Sequence, residues 1–287
     1  ILTPEGGVID DVIVYQHSTE GVAGGPYTLI CNAANHETVV SWLGNNVVGY
    51  PDISLIDFTT ESVMIAVQGP DAGVIVDGIS VGKGSPSTMR PFSSMPQPVK
   101  LKNVDSLVDV HIGRTGYTGE DGFEIIADAN SGSALWDTLK TAGATPCGLG
   151  ARDVLRLEAG LRLHGSDMDT SKSPLEAGLG RFVKMENHDF IGRKALEAQQ
   201  ARGLDKILVG FRLLGAGIPR HDHTLLKGTK QIGKVTSGTY SPSLDTGIGM
   251  GYVSLEYSTP GDHLNVNIRG RIVEVEIIEL PFYHRHR

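Results

Sequence analysis

The chain has 287 residues, of which 40% are hydrophobic and 20% are charged, and its formal net charge is -8. This length predicts about two domains with a sizeable core. No apolar run is long enough for a transmembrane helix. The acidic balance and the dispersed basic residues disfavour non-specific binding to nucleic acid.

The two cysteines, Cys31 and Cys147, form neither a C-x-x-C motif nor a disulfide framework. This usage predicts a reducing compartment and excludes a zinc site built from cysteine ligands. The chain opens on Ile1 with no visible signal peptide, on sequence typical of the middle of a domain.

The first two thirds of the chain predict short strands mixed with helices. Alternating β-branched residues bounded by turn signals predict the strands, and apolar residues at helical spacing predict the helices. The predicted elements are, in chain order, a turn and strand over 6–15, a strand over 27–31, a helix over 35–43, a strand over 62–67, a loop over 83–98, strands over 107–113 and 123–127, and helices over 134–142 and 148–163.

From residue 206 the pattern changes to short strands separated by turn signals. This spacing predicts a small antiparallel barrel or sandwich as a second domain. We therefore expect domains over 1–204 and 205–287, with a hinge between Gln199 and Asp205. The strands are predicted over 207–213, 231–236, 247–253, 263–268 and 272–280.

An acidic pair, Asp10 and Asp11, stands at the head of the first predicted strand. Adjacent strand residues point to opposite faces, so one carboxylate at most faces a given pocket. Asp11 and Tyr15 are four residues apart and are expected to share a face. Composition alone favours the alternative of a turn with two solvated carboxylates.

A glycine-rich stretch over 116–124 ends on Glu124, which is flanked by hydrophobic residues in a predicted strand. Its glycines allow the backbone to approach a ligand closely. A carboxylate such as Glu124 can accept two parallel hydrogen bonds from an amino-pyrimidine edge. The alternative is an edge-strand glutamate that faces water.

The stretch over 150–158 places Arg152 and Arg156 one helical turn apart, where like charges repel. Carboxylates or an anionic ligand between them would relieve the repulsion, and the helix N-terminus adds positive charge near Arg152. The alternative is an internal ion-pair network with Asp153 and Glu158.

Taken together and in order, these stretches resemble the aminomethyltransferase (T-protein) family of the glycine cleavage system. The resemblance covers essentially the whole chain. It rests on GGVIDDVIVY at 6–15, CNAAN at 31–35, QGPDA at 68–72, RTGYTGEDGFEI at 114–125, CGLGARDVLRLEAGLRLHGSDMD at 147–169, SPLEAGLGRFVKM at 173–185, DFIGRKAL at 189–196, TSGTYSPSL at 236–244, MGYV at 250–253 and LPFY at 280–283.

The resemblance implies an α+β, multi-lobed folate-binding fold: two interleaved α+β lobes and a C-terminal antiparallel β-barrel. Members of the family carry a further segment, including a helix and an S-H-M-like motif, ahead of the GGVIDD-like stretch. On this resemblance the chain is expected to be N-terminally incomplete. The family commonly has Trp where this chain reads Gly180-Arg181-Phe182, so one side-chain contact is not carried over at Arg181.

The implied reaction transfers the methylene of an aminomethyl group, carried on the lipoyl arm of H-protein, to tetrahydrofolate and releases ammonia. Asp11 is the implied catalytic residue. Tyr15, Asn32, Tyr117, Glu124 and Arg152 are the implied folate-binding residues, and Arg285 or Arg287 is expected to meet the glutamate tail. Lipoylated H-protein and folate are the expected partners, without nucleic acid, metal or membrane. The expected location is the cytoplasm in a prokaryote or the mitochondrial matrix in a eukaryote.

Three alternatives stay open at this point. A related folate-dependent demethylase is one, although a sarcosine-type dehydrogenase also needs a dinucleotide fingerprint that this sequence lacks. A non-catalytic folate-binding module is another. It carries a K-G-C-x-x-G-type stretch, whereas the equivalent region here reads Asp189-Phe190-Ile191-Gly192. The third is an inactive chain of the same fold.

Overall fold

The computed structural model describes residues 1–17, 25–186 and 188–284. Over these ranges the α-helices are α1 (His36–Val47), α2 (Ala72–Ile79), α3 (Gly132–Thr141), α4 (Leu149–Glu158) and α5 (Arg193–Arg202). The strands are β1 (Ile13–Gln16), β2 (Tyr27–Ile30), β3 (Ser62–Gln68), β4 (Ser94–Lys100), β5 (Leu107–Gly113), β6 (Gly122–Asp128), β7 (Lys206–Leu213), β8 (Thr224–Lys227), β9 (Lys230–Ser241), β10 (Thr246–Ser254), β11 (His263–Ile268) and β12 (Arg271–Ile278).

The chain divides into two compact units and alternates between them. Unit 1 comprises Ile1–Val14, Leu29–Asn46 and Asp153–Arg287, and unit 2 comprises Tyr15–Thr28 and Val47–Arg152. The predicted domain boundary at 204/205 stays a prediction. Strand β7 begins at Lys206, while α5 runs through the first part of the predicted hinge.

Unit 2 is built on a four-stranded antiparallel sheet in the order β3-β6-β5-β4. Its strands alternate buried and exposed side chains, so one face packs into a core with α2 and α3. The fully buried members of that core include Ile112, Phe123, Ile125 and Leu135.

The predicted loop over 83–98 is wrong in its last part, because β4 begins at Ser94. This strand contains Pro96 and Pro98 and lies at the edge of the sheet. An edge strand tolerates prolines, since only one of its sides needs backbone donors. The prolines therefore hid a strand that only the sheet order reveals.

The C-terminal strands of unit 1 close into a six-stranded antiparallel barrel, in the order β10-β7-β12-β11-β8-β9. This confirms the barrel that the family resemblance implies, and it decides between the barrel and the sandwich that the spacing of short strands had left open. Inward-facing apolar side chains fill it, among them Phe211, Leu225, Val266 and Val275, each of which is fully buried. The short strand β8 was not predicted.

Helix α4 begins as predicted but ends at Glu158, well before residue 163. Gly160 adopts a left-handed backbone with φ 67°. Its N–H donates to the carbonyl of Leu157 (2.8 Å), and the N–H of Leu161 donates to that of Arg156 (2.8 Å). This pair of hydrogen bonds is a Schellman C-cap, which ends the helix at a glycine.

No helix in the described part of the chain is long and apolar enough to cross a membrane.

Candidate functional site

The acidic pair precedes the first strand instead of lying within it, because β1 begins at Ile13. The predicted strand is therefore wrong for residues 8–12. Asp10 is 1% exposed, whereas Asp11 is open to solvent. The alternative of two solvated carboxylates fails at Asp10, which is buried and needs hydrogen-bond donors.

Asn32 donates hydrogen bonds to both carboxylates of the acidic pair, Asp10 and Asp11. Its backbone N–H donates to Oδ2 of Asp10 (3.0 Å), and its Nδ2 donates to Oδ1 of Asp10 (2.7 Å). The same Nδ2 donates to Oδ1 of Asp11 (2.9 Å). One amide group therefore fixes the orientation of Asp11 relative to a buried carboxylate.

The surroundings of Asp11 hold its proton affinity above that of an ordinary aspartate. Desolvation by nearby protein raises the pKa of the Asp11 carboxyl, and the charge of Asp10 raises it further. The hydrogen bond from Asn32 and the charge of His164 oppose these effects and lower the pKa. A carboxylate whose pKa is raised in this way accepts a proton more readily than an ordinary aspartate does.

Glu124 lies in the middle of the sheet of unit 2, on β6, where it pairs with Ala66 on β3 and Gly113 on β5. Its side chain is partly buried, and its Oε2 is buried without a hydrogen-bond partner among the described residues. Desolvation raises the pKa of Glu124, while the charge of Arg152 lowers it. The alternative of an edge-strand glutamate is wrong, because β6 has a strand on either side.

Tyr15 belongs to unit 2 and is 3% exposed. Its ring lies over Gly113, where an added Cβ would stand 2.2 Å from the phenol oxygen. Burial, followed by the charge of Glu124, raises the pKa of the Tyr15 phenol. Tyr15 therefore keeps its proton and can donate it in a hydrogen bond. The predicted shared face of Asp11 and Tyr15 is wrong, because the strand starts after Asp11.

Tyr117 and Arg152 come together in unit 2. The Arg152 guanidinium carbon lies 4.4 Å from the centre of the Tyr117 ring, in a cation–π contact. Arg156, one turn further along α4, is instead 2% exposed and belongs to unit 1, where it pairs with Asp153 and Asp167 (2.8 Å each). The expected ion pair of Arg156 with Asp153 is therefore confirmed, and Asp167 is a further partner that was not predicted. Glu158, the other expected member of the network, accepts hydrogen bonds from Ser241 and Ser243.

Comparison with known proteins identifies the family. The model of the GCVT N-terminal domain matches residues 1–187, and that of the glycine cleavage T-protein C-terminal barrel domain matches residues 206–284. The aminomethyltransferase of Thermosynechococcus vestitus is 42% identical over 291 residues, covering 100% of this chain and 74% of the relative. That of Oceanobacillus iheyensis is 40% identical, covering 99% and 75%.

The chain belongs to the glycine cleavage T-protein family. A solved structure agrees with this assignment, namely the glycine cleavage system aminomethyltransferase T from Bartonella henselae. It is 30% identical to this chain with a TM-score of 0.84, and the match covers 99% of this chain and 74% of that one. The resemblance read from the sequence motifs is therefore confirmed, and so is the fold class.

Two groups of predicted site residues thus emerge. Asp11 and Asn32 are joined by a hydrogen bond in unit 1. Unit 2 holds the other four, in which Glu124 interacts electrostatically with both Tyr15 and Arg152, and Arg152 packs on Tyr117. Arg285 and Arg287 lie outside the described residues. Arg181, at the departure from the family pattern, packs on Phe182, with its guanidinium carbon 4.7 Å from the ring centre.

Sequence reasoning overlooked two residues beside these groups. Gln68 was noted only as the first residue of the QGPDA motif, but its amide contacts the loop that carries Tyr117. His164 interacts electrostatically with Asp11, and its Nε2 is buried without a hydrogen-bond partner in the described ranges. Both residues stand in stretches that resemble the family, and no local periodicity marks either one. Over the described residues, no cluster of three or more His, Cys, Asp or Glu could hold a metal ion.

Proposed function

We infer that this chain is an aminomethyltransferase, which moves the methylene of an aminomethyl group on lipoylated H-protein to tetrahydrofolate and releases ammonia. Family membership over the whole described chain supports this function. The structural observation that carries it is the Asp11 carboxylate, which is oriented by Asn32 and whose pKa is raised by desolvation.

The reaction exchanges two bonds at one carbon. The methylene starts between a sulfur and a nitrogen and ends between two folate nitrogens, which lose one proton each. Those protons leave with the ammonia and the lipoyl thiol, so atoms and charge balance. The substrate carbon is already activated by its two heteroatoms, and the protein mainly has to align the reactants and manage protons.

Asp11 is the proposed proton acceptor in this exchange. Its carboxylate also stabilises the positive charge that develops on the nitrogen-bound methylene. Asn32 acts through Asp11, because its Nδ2 holds Oδ1 in a fixed direction. The buried Asp10 in turn orients Asn32 through two hydrogen bonds, so it is a positioning residue.

Glu124 is the proposed acceptor for the amino and ring N–H groups of the pterin. The fit rests on its Oε2, which is buried and lacks a partner among the described side chains and backbone. Such an atom is costly unless a ligand supplies a donor. The Arg152 charge keeps Glu124 more acidic than burial alone would, which favours the ionised, accepting form.

Tyr117, Arg152 and Tyr15 complete the proposed folate contacts. Tyr117 offers an aromatic face held by the Arg152 guanidinium, and folate rings pack on such faces. Arg152 adds positive charge toward the polar end of the pterin. Tyr15 presents a buried phenol that stays protonated. The bacterial relatives favour the cytoplasm as the place where this reaction runs.

The test is the formation of ammonia and methylene-folate from aminomethylated H-protein. We expect Asp11→Asn to lose most turnover while its folate affinity stays within about threefold, because an amide keeps the shape but accepts no proton. Asp262→Asn, in a turn of the barrel, is the matched control and should keep full activity. Turnover by Asp11→Asn at the rate of the parent would refute the role of Asp11. Folate binding by the parent chain without turnover would favour a non-catalytic folate-binding module.

A further inference from the structure

We propose that Gln68 is a positioning residue for folate, which holds the loop over 115–121 and the start of β6 in their binding conformation. This inference rests on the proposed roles of Tyr117 and Glu124. Tyr117 lies within the loop, and Glu124 is the third residue of β6. Gln68 itself is the last residue of β3, so it stands on the rigid sheet of unit 2.

Both the nitrogen and the oxygen of the Gln68 carboxamide form hydrogen bonds with this segment. Its Nε2 donates to the carbonyl of Thr115 (3.1 Å) and to the carbonyl of Phe123 (3.3 Å). Its Oε1 accepts from the hydroxyl of Thr118 (3.1 Å). Three hydrogen bonds thus connect one side chain to the first residue of the loop, to a residue within it, and to β6 after it.

Two glycines, Gly116 in the loop and Gly122 at the start of β6, allow this close approach. A Cβ on Gly116 would stand 1.8 Å from Oε1 of Gln68, and a Cβ on Gly122 would stand 2.3 Å from its Cδ. Neither glycine has a positive φ, so the missing side chain matters here because of space and not because of backbone conformation. The two glycines and Gln68 therefore fit together as one packed unit.

The anchor points lie close in the chain to both proposed folate contacts. Thr115 and Thr118 lie on either side of Tyr117, and the carbonyl of Phe123 directly precedes Glu124. Loss of the Gln68 amide would free these points together. A loop that must be ordered by the ligand binds it more weakly, because ordering costs conformational entropy. The predicted effect is therefore selective for folate over H-protein.

The experiment compares Gln68→Ala and Gln68→Glu with Gln97→Ala in the full chain. Gln97 is the matched control, since it is a buried glutamine of the same sheet whose Nε2 donates to Gly84 instead (3.3 Å). The readouts are the KM for each substrate, the folate Kd from calorimetry, and Tm. Glutamate keeps the length of the side chain but lacks the two Nε2 donors, so it separates hydrogen bonding from packing.

We expect both Gln68 variants to raise the KM and Kd for folate about tenfold or more, with the KM for H-protein within about twofold. Gln97→Ala should lower Tm to a similar extent and leave folate affinity unchanged. On a Tyr117→Ala background, the effect of Gln68→Ala should shrink, because part of what Gln68 positions is already absent.

Two results would overturn the inference: unchanged folate affinity in both Gln68 variants, or equal weakening for both substrates. A failure of the proposed function is distinguishable. If Tyr117→Ala and Glu124→Ala weaken folate binding and the Gln68 variants do not, only the positioning role fails. If none of these variants weakens it, the folate contacts under the proposed function fail. Should Gln68→Ala not fold, Thr118→Val removes a single anchor and should still weaken folate binding.

Discussion

Replacement of Glu124 tests the proposed contact with the pterin, on which the proposed folate-binding role of unit 2 depends. In the free protein Oε2 is buried and has no hydrogen-bond partner among the described residues. A buried acceptor left in this state costs about 1–3 kcal/mol, which a ligand donor would recover on binding. For Glu124→Ala we expect a loss of about 2 kcal/mol in folate binding, or a Kd about 30-fold higher.

Glu124→Gln separates charge from shape. Glutamine keeps one acceptor but turns a donor toward the N–H groups of the pterin, so folate affinity should fall about as far as in Glu124→Ala. The free protein should respond in the opposite direction. Because burial raises the folded-state pKa of Glu124, ionisation lowers stability as the pH rises from the ordinary value of 4.5 through the raised pKa. Above that window, Glu124→Gln should therefore melt at a higher temperature than the parent.

The assay is calorimetric titration with a reduced folate, together with thermal unfolding at about pH 8 and about pH 4.5. Glu61→Gln, at an exposed position ahead of β3, is the control and should leave both measurements unchanged. A folate Kd within about threefold of the parent in both Glu124 variants would refute the contact, since removal of a buried carboxylate that binds the pterin must weaken folate binding by more than this. Equal melting temperatures at the higher pH would refute the electrostatic part of the reasoning.

Three further outcomes are expected. Asn32→Ala removes the hydrogen bond that lowers the pKa of Asp11, so the acidic limb of the kcat profile should move to higher pH, and an unmoved limb would contradict this. Arg156→Met leaves Asp167 buried and unpaired, which should cost about 3–5 kcal/mol in urea unfolding. Gly160→Ala forces a Cβ into a left-handed backbone with φ 67° and should cost about 1 kcal/mol in the same assay, whereas no change would discount the C-cap.

Local pattern predicted the regular elements better than their ends. Five of the six barrel strands were predicted because turn residues separate these short strands at short spacing, whereas β8 was missed. The predicted strand before Ile13 was wrong because the β-branched Val8 lies outside any strand and packs in a small cluster with Met168 and Ala177. Such packing depends on distant residues, so propensity alone cannot reveal it.

At the candidate site, too, the sequence motifs predicted which residues matter but not which residues contact one another. The ordered motifs were enough to nominate Asp11, Tyr15, Tyr117, Glu124 and Arg152. They could not show that the two arginines of helix α4 have different partners. Arg152 packs on Tyr117, whereas Arg156 forms ion pairs with Asp153 and Asp167. Their spacing on the helix does not distinguish the two arginines, and only the residues around each one show which of them is already ion-paired.

The sequence by itself determined the family, because the motifs occur in a characteristic order, and the family in turn implied the barrel and the chemical types available at the site. Local periodicity alone left a barrel and a sandwich open. Only the tertiary structure decided that Asp10 is buried and that the adjacent Asp11 is exposed to solvent. Asn32 is distant in the chain from Asp10 and Asp11, yet its single amide holds both. It likewise decided the contacts of Gln68, whose three hydrogen bonds join β3 to a loop and a strand far along the sequence. Hydrogen bonds between such distant residues exist only after folding, so no local pattern in the sequence can predict them.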